Sequence, residues 1–440
     1  MREDTTDPTD VAARLDRLPL TVLHLVAVGL CALGFAFDLL EIALGSVMSA
    51  VFATPPNAVP AQQLSILLAS VYVGAMIGAP VLGWVADRYG RRVTLIGVLL
   101  WLGLCSGAAA ASSGIDALTL CRALSGLALG AYPPLMISYL TDLLPARRRG
   151  PLIMLTAGVA TLGPPVAVFG VRALTPINAL GLEAWRWGFV FGASGALIVG
   201  LLFFFLPESA RWLKAKGRLA EAERACAAFE RSRVVLAAAP VTEQAPTSTL
   251  VVAGGNRWPL MASLFLLSPW ATVAFPLLTG AVLAHKGFTL SDTLLYVGLG
   301  TFGPLVGNVL GALGLERLDR RHVLMLCGGV MVVCGGAFVC ASLPWVLVLV
   351  NLGFGMAMAI YVAVLSLYGS ELFPTAKRAT SLAGAWALNR LGAVMAPLLL
   401  LPLLKGSGPV AMFAVIAATL AASAAVLAFA PRGRQRQAVA

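Results

Sequence analysis

Two acids and two arginines stand inside long apolar stretches, where a charge needs a reason. Asp38 and Glu41 lie in FAFDLLEIAL, and with Gly34 and Gly45 they fall at i, i+4, i+7 and i+11. A helix of that period puts both carboxylates on one stripe flanked by residues without side chains, which is expected to line a wet central cavity. Acids so placed suit the binding and release of a proton; a permanent ion pair joining helices is the alternative. Arg122 in TLCRALSG could sense the protonation of those acids or snorkel toward a helix end. Arg390 in LNRLGA has no acid in its half of the chain except near helix ends. A planar fork awaiting an anionic ligand is the reading this favours, and a pair with Asp38 or Glu41 across the two halves is its alternative. Asn351 and Tyr361 join Arg390 as candidate substrate contacts, with packing as their other use, as for Tyr72, Asn308 and Trp386. No nucleophile with a base, metal cluster or phosphate loop is present, so no enzyme chemistry, metal or cofactor is expected.

The elements that must position these residues follow from composition. The chain has 440 residues, 59% of them hydrophobic and 12% charged, with mean hydropathy +0.89, which excludes an ordinary soluble protein. Twelve apolar runs, from 20–50 to 409–430, are each long enough to cross about 30 Å of hydrocarbon. Lys and Arg number 25 on one set of connections, which includes both termini, and 4 on the alternate set, so both termini are expected in the cytoplasm and the chain in the cytoplasmic membrane. The net charge of +11 is thereby mostly a topology signal, and nucleic acid is not an expected partner. On this topology Arg122 sits about 9 Å inside the outer end of the fourth run and Arg390 about 18 Å along the eleventh, near the midplane. Six of the seven cysteines fall within runs and form neither a disulfide framework nor a metal spacing. The first 19 residues lack a signal peptide's apolar core, so the first run is expected to remain as an anchor.

The two halves repeat. YLTDLLPARRR at 139–149 returns as YGSELFPTAKR at 368–378, with Tyr139, Asp142, Pro145 and Arg149 matched to Tyr368, Glu371, Pro374 and Arg378 at one offset of 229 residues. The same offset carries GWVADRYGRR, 83–92, onto ALGLERLDRR, 312–321. Asp87, Arg88, Arg91 and Arg92 then correspond to Glu316, Arg317, Arg320 and Arg321. Asp142 and Glu371 would end helices where those basic groups emerge, an arrangement expected to act as a charge latch between the cytoplasmic ends of the halves. Its members are Gly83, Asp87, Arg88, Arg91, Arg92, Asp142, Arg149, Glu316, Arg317, Arg320, Glu371 and Arg378. The expected units are a six-helix bundle at 1–206, a cytoplasmic segment at 207–257 and a second bundle at 258–440. In the middle segment Trp212, Leu219, Ala222, Cys226 and Phe229 make one apolar stripe, which predicts an amphipathic helix resting on the bundle, followed by a linker at 234–257.

Gly83, Asp87, Arg88, Gly90, Arg91 and Arg92 resemble the 2/3-loop signature of the major facilitator superfamily. Arg122, Gly126, Gly130, Pro133, Tyr139, Asp142, Pro145, Arg149 and Gly150 resemble the fourth-helix pattern of its sugar porters and organic ion transporters, and PESARWL at 207–213 resembles their PESPRWL segment. The glutamine-rich seventh helix and PETKG tail of sugar porters are absent, which argues against a hexose. Asp38 and Glu41 resemble the paired acids of the aromatic acid and metabolite proton symporters, which usually have Asp at the second place. The resemblance implies an all-α membrane protein of twelve transmembrane helices in two pseudo-symmetric six-helix bundles. It further implies alternating-access transport of a small organic anion with protons, with Asp38, Glu41 and Arg122 in proton coupling. Substrate, protons and the lipid bilayer are the expected partners, and the expected state is a monomer. A facilitator or exporter of a neutral or cationic metabolite, or a receptor that binds without moving its ligand, are the alternatives.

Overall fold

In the computed structural model the chain is a bundle of long apolar helices, described over residues 11–177, 181–236, 257–314, 319–372 and 375–430. A short helix α1 (Val11–Arg17) and a two-residue strand β1 (Leu20–Thr21) lead into span one, α2 (Val22–Val51). Spans two to four are α3 (Ala61–Tyr89), α4 (Arg91–Ala111) and α5 (Ile115–Leu143). Span five is broken into α6 (Ala146–Ala160) and α7 (Gly163–Leu174), and span six is α8 (Ala184–Leu202). Two short helices, α9 (Ala210–Ala215) and α10 (Leu219–Glu230), and strand β2 (Val234–Leu236) follow. Spans seven and eight are also broken, into α11 (Trp258–Thr272) and α12 (Ala274–His285), and into α13 (Leu290–Gly300) and α14 (Gly303–Gly314). Spans nine and ten are α15 (Arg320–Cys340) and α16 (Pro344–Leu372). The last element, α17 (Thr375–Ala428), has 54 residues and would be about 81 Å long as one rod. It turns at Gly408, whose φ of +85° suits glycine, and Pro409 opens the next segment, so spans eleven and twelve lie on either side.

Within each bundle, glycines set how closely helices cross. A Cβ on Gly74 or Gly78 of span two would lie 2.0 Å from the Ala123 or Leu127 carbonyl of span four, and one on Gly126 would lie 2.1 Å from the Val71 carbonyl. Backbone contact of this kind holds apolar helices together where no hydrophobic effect can. The offset of 229 carries Gly74, Gly78 and Gly126 onto Gly303, Gly307 and Gly355. In the second half Gly303 and Gly307 meet the Leu352 and Met356 carbonyls, and Gly355 lies against Pro304 and Gly303. Spans eight and ten therefore repeat the crossing of spans two and four.

Three seams join the bundles: span one with seven, two with eleven, and five with eight. Several of their contacts lie toward the face opposite the chain termini. Gly280 of α12 sits where a Cβ would be 2.8 Å from the Ser46 carbonyl, and Gly298 faces Phe169. Arg172 Nε donates to the Ser291 carbonyl at 3.1 Å and Lys405 Nζ to the Val59 carbonyl at 2.8 Å. On the terminal side, α6 packs on spans one and four, α11 on span eleven and α14 on span ten.

The segment after span six docks on the first bundle as two helices, not one. They meet at Gly217, with φ +74°. Trp212, Ala222, Cys226 and Phe229 are buried as expected, but Leu219 is 60% exposed, because the turn at Gly217 takes it off the stripe. Arg14 of α1 bonds Glu223 and Glu230, both at 2.8 Å, which holds its guanidinium above the usual arginine range. β1 and β2 pair antiparallel, although 234–236 read as linker in the sequence. Burial beside Glu230 pushes the Cys226 thiol up to about 11, so it is a packing residue at neutral pH.

Gly74→Leu should therefore lower melting temperature and yield, by at least about 1–3 kcal/mol, since the clash is with backbone inside one bundle. Gly280→Leu strains a contact between bundles. It should leave the melting temperature near that of the parent while raising the reactivity of a cysteine at Ser46 toward an impermeant label added opposite the termini. Equal thermal losses without a gain in labelling would refute the distinction.

Candidate functional site

The three broken spans surround one cavity of about 320 Å³ between the bundles. Thr161 and Pro164 stand at the break in span five, Thr272, Val273 and Pro276 at that in span seven, and Thr301 and Pro304 at that in span eight. Proline has no N–H to give the carbonyl four residues before it, so each break frees a backbone acceptor. Non-helical backbone at this depth is tolerated where it lines a cavity or is buried in protein. Spans five and eight even share local wording: GVATLGP at 158–164 and GLGTFGP at 298–304. This G-x-x-T-x-G-P repeat, at an offset of 140, was a sequence signal for the site that a search at the half-to-half offset of 229 does not find.

Arg390 lines the cavity and, among the described residues, makes no hydrogen bond or ion pair. Asp38 and Tyr72 act on it electrostatically. Asn351 also lines the wall, its Nδ2 donating to the Tyr296 carbonyl at 3.3 Å. On span ten the lining stripe is Asn351, Phe354, Gly355 and Met358, at i, i+3, i+4 and i+7. Tyr361 falls to the side of that stripe, 1% exposed and facing Ser423 of span twelve, so it is a packing residue rather than a substrate contact. Phe354 is stacked on Phe275 at 4.0 Å, and Phe338 and Phe413 hold Phe275 from behind.

The acids do not line the cavity as expected. Span one presents Leu39, Ile42, Ala43 and Ser46 to it, while Asp38 and Glu41 are wholly buried. The reason is the donors available inside the first bundle. Arg122 Nη1 bonds Glu41 Oε2 at 2.7 Å, Arg122 Nη2 bonds the Glu41 carbonyl at 3.0 Å, and Ser106 Oγ donates to Glu41 Oε1. The guanidinium also lies 5.4 Å from the Phe189 ring. Glu41 and Arg122 thus form the internal ion pair that the sequence left open as an alternative. Asp38 differs from its neighbour: both its carboxylate oxygens are buried without a hydrogen-bond partner, with Arg390, Glu41 and Tyr132 in its electrostatic surroundings.

The expected latch residues tie the first bundle to its own appendages. Arg91 lies 3.3 Å from Asp87 and 3.5 Å from Asp142. Asp142 accepts from Ser209 Oγ at 2.7 Å, and Arg149 and Arg211 share Asp16 of α1 at 3.2 and 2.7 Å. Arg92 Nη1 caps span six at the Leu206 carbonyl, 2.6 Å away, as Arg321 caps span twelve at Ala430, 3.0 Å away. Arg88 lies over Trp84, Gly83 borders open space, and Arg320 is buried at the start of span nine. Glu316 and Arg317 lie outside the described residues, as do the side chains of Glu371 and Arg378. What the latch reading did not count was Asp16, Glu208, Ser209 and Arg211, the partners found among the described residues.

Removing one member of the Glu41–Arg122 pair should cost about 3–5 kcal/mol by leaving a buried charge alone. Arg122→Met should accordingly melt well below the parent in detergent, and the double change Glu41→Gln with Arg122→Met should recover most of the loss. An Arg122→Met protein as stable as the parent would refute the pairing.

The sequence pattern of the Major Facilitator Superfamily matches residues 26–397. The niacin transporter NiaP of Acinetobacter baylyi is 24% identical over 404 residues, covering 88% of this chain and 89% of the relative. The 4-hydroxybenzoate transporter PcaK of Pseudomonas aeruginosa is 28% identical over 402 residues, covering 88% and 87%. Among solved structures, the inward open conformation of the xylose transporter XylE from E. coli aligns with a TM-score of 0.71 at 20% identity, over 94% of this chain and 97% of that one, a likeness of fold. With that match over most of its length and twelve spans in two repeated bundles around a central cavity, the chain belongs to the Major Facilitator Superfamily and is a membrane transporter, not an enzyme.

Proposed function

We propose that this transporter moves a small organic anion, an aromatic or similar carboxylate, together with a proton across the cytoplasmic membrane, with both termini in the cytoplasm. The observation that carries the reading is Arg390, a cavity-facing guanidinium with no bonded partner among the described residues. A guanidinium at this depth with no bonded partner is costly, and a ligand carboxylate held by the planar fork supplies the direct partner that the protein does not. The rest of the wall suits an apolar body: leucine, isoleucine, valine, proline and methionine line it beside Phe354. A volume of about 320 Å³ falls at the small end of ligand pockets. Relatives named for niacin and 4-hydroxybenzoate transport are consistent with such a ligand.

Asp38 gives the coupling. It has no hydrogen-bond donor of its own, and Arg390 is the cation whose field reaches it. When no substrate is bound, an ionised Asp38 is balanced by Arg390. When a substrate carboxylate takes the guanidinium, an ionised Asp38 would be left buried and uncompensated, so that state requires a proton on Asp38. Anion and proton then bind together because they share one arginine. Glu41, held by Arg122 and Ser106, keeps the first bundle rigid while this exchange occurs. The positive excess on the connections that include the termini supports their cytoplasmic placement.

Asp38→Asn mimics the protonated side chain, so it should abolish proton-driven accumulation in proteoliposomes and leave substrate exchange measurable; accumulation at the parent level would remove Asp38 from coupling. Arg390→Lys keeps the charge without the fork and should weaken carboxylate binding by about tenfold, roughly 1.4 kcal/mol. Arg390→Ala should lose most of it. The neutral amide of the same ligand should bind poorly to the parent, and equal binding of acid and amide would end the anion reading in favour of a neutral substrate.

A further inference from the structure

Five serine and threonine hydroxyls line the cavity, and each spends its proton on its own helix. Ser46 donates to the Ala43 carbonyl at 2.7 Å, Thr161 to Gly158 at 2.6 Å, Thr272 to Ser268 at 2.9 Å, Thr279 to Phe275 at 2.8 Å and Thr301 to Gly298 at 2.5 Å. A carbonyl cannot donate, so the direction of every one of these bonds is fixed, and what each hydroxyl has left to offer is a lone pair. Asn351 differs in part: one N–H of its Nδ2 meets the Tyr296 carbonyl, which leaves Oδ1 as an acceptor beside a second N–H. Two backbone acceptors join them. Pro276 and Pro304 cannot donate to the carbonyls of Thr272 and Gly300, and both of those residues line the cavity.

Donors stand on a different wall. Arg390 of span eleven and the Tyr72 hydroxyl of span two have no hydrogen-bond partner among the described residues, and their two spans pack on each other. The acceptor-bearing breaks belong to spans five, seven and eight, with Asn351 on span ten behind them. Span one packs on five, and seven packs on both eight and eleven, so the seam of spans one and seven stands between the donor wall and the seam of spans five and eight.

We propose that Thr161, Gly300, Thr301 and Asn351 form a specificity subsite that accepts hydrogen bonds from a hydroxyl or N–H on the substrate, at the end away from its acidic group. This rests on the anion reading of Arg390 for its orientation, but not for its chemistry. A wall of acceptors gains from a ligand that brings donors, and it loses its water without return to one that brings none. The cavity thus selects a two-ended ligand, acidic at one end and donating at the other. The matched breaks in spans five and eight supply the same lone pair, Thr161 Oγ1 and Thr301 Oγ1, one from each bundle.

The test is binding to the purified full-length protein by titration calorimetry, with 3- and 4-hydroxybenzoate set against the corresponding fluorobenzoates, which are similar in size and cannot donate. One matched hydroxyl should tighten binding roughly three- to tenfold over fluorine. Thr161→Val and Thr301→Val keep shape and remove the acceptor, and together they should bring that ratio toward one by weakening the hydroxybenzoates, with fluorobenzoates binding no more weakly than to the parent. Thr301→Ser, which keeps the oxygen, should retain the ratio and serves as the control for folding. Equal affinity of hydroxy and fluoro acids in the parent, or a ratio that survives both valines, overturns the subsite. The amides of the same compounds separate this from the anion reading: amides that bind as well as the acids and still prefer hydroxyl would remove Arg390's role and uphold the acceptor wall.

Discussion

The ion pair between Arg122 and Glu41 decides which way span one is turned, and the rest of the site follows from that rotation. An arginine inside the first bundle must be neutralised there, and Glu41 meets it with both its carboxylate and its own backbone carbonyl. A helix anchored at one position has no freedom at the next. With Glu41 facing spans three and four, Leu39, Ile42, Ala43 and Ser46 face the cavity, and Asp38 is left buried between the bundles' charges without a donor. One satisfied pair thereby produces one unsatisfied acid. The satisfied pair costs the protein desolvation and returns rigidity; the unsatisfied acid and the unpaired Arg390 remain available to ligands that come and go.

The same contrast governs the backbone. A carbonyl stripped of its helical donor is expensive in hydrocarbon, yet spans five, seven and eight are interrupted, and each break borders the cavity. Elsewhere the chain closes its backbone with care: Arg92 and Arg321 cap the ends of spans six and twelve, Arg186 bonds the Ala110 and Ser112 carbonyls, and Lys286 bonds those of Phe338 and Ala341. The three breaks thus lie where something other than the protein can supply a missing partner.

Much of this was legible in the sequence, and the parts that were not share a cause. Span number came from apolar run length, and the two bundles came from the offset of 229. That offset also copies Gly74, Gly78 and Gly126, the residues that bring spans two and four into backbone contact. Arg390 stood out because its half of the chain offered no acid except near helix ends. The stripe through Asp38 and Glu41 was real as a stripe, but periodicity gives a face without saying what it faces, and the competition that Ser106 and Arg122 win is not written in the spacing. Tyr361 misled for a similar reason, lying three residues beyond a lining position yet turned toward span twelve. The latch reading placed Asp142 beside the basic loop, where Arg91 is found, but it did not include Asp16 and Ser209, close in space and distant in sequence.

Where those charges ended up bears on how the halves can move. Arg91, Asp142, Ser209, Arg211, Arg149 and Asp16 knit the first bundle to α1 and α9, with Glu208 accepting from the Arg92 and Val93 amides at the head of span three. The side-chain hydrogen bonds described between the bundles are of another kind, Arg172 to Ser291 and Lys405 to Val59, each a cation on a backbone carbonyl. Bonds near the surface with no opposing carboxylate contribute little net energy and exchange readily for water. Strong ties within a bundle and weak ones between bundles make the halves move as bodies. On the proposed mechanism, binding of a carboxylate and a proton would have few side-chain bonds between the bundles to break.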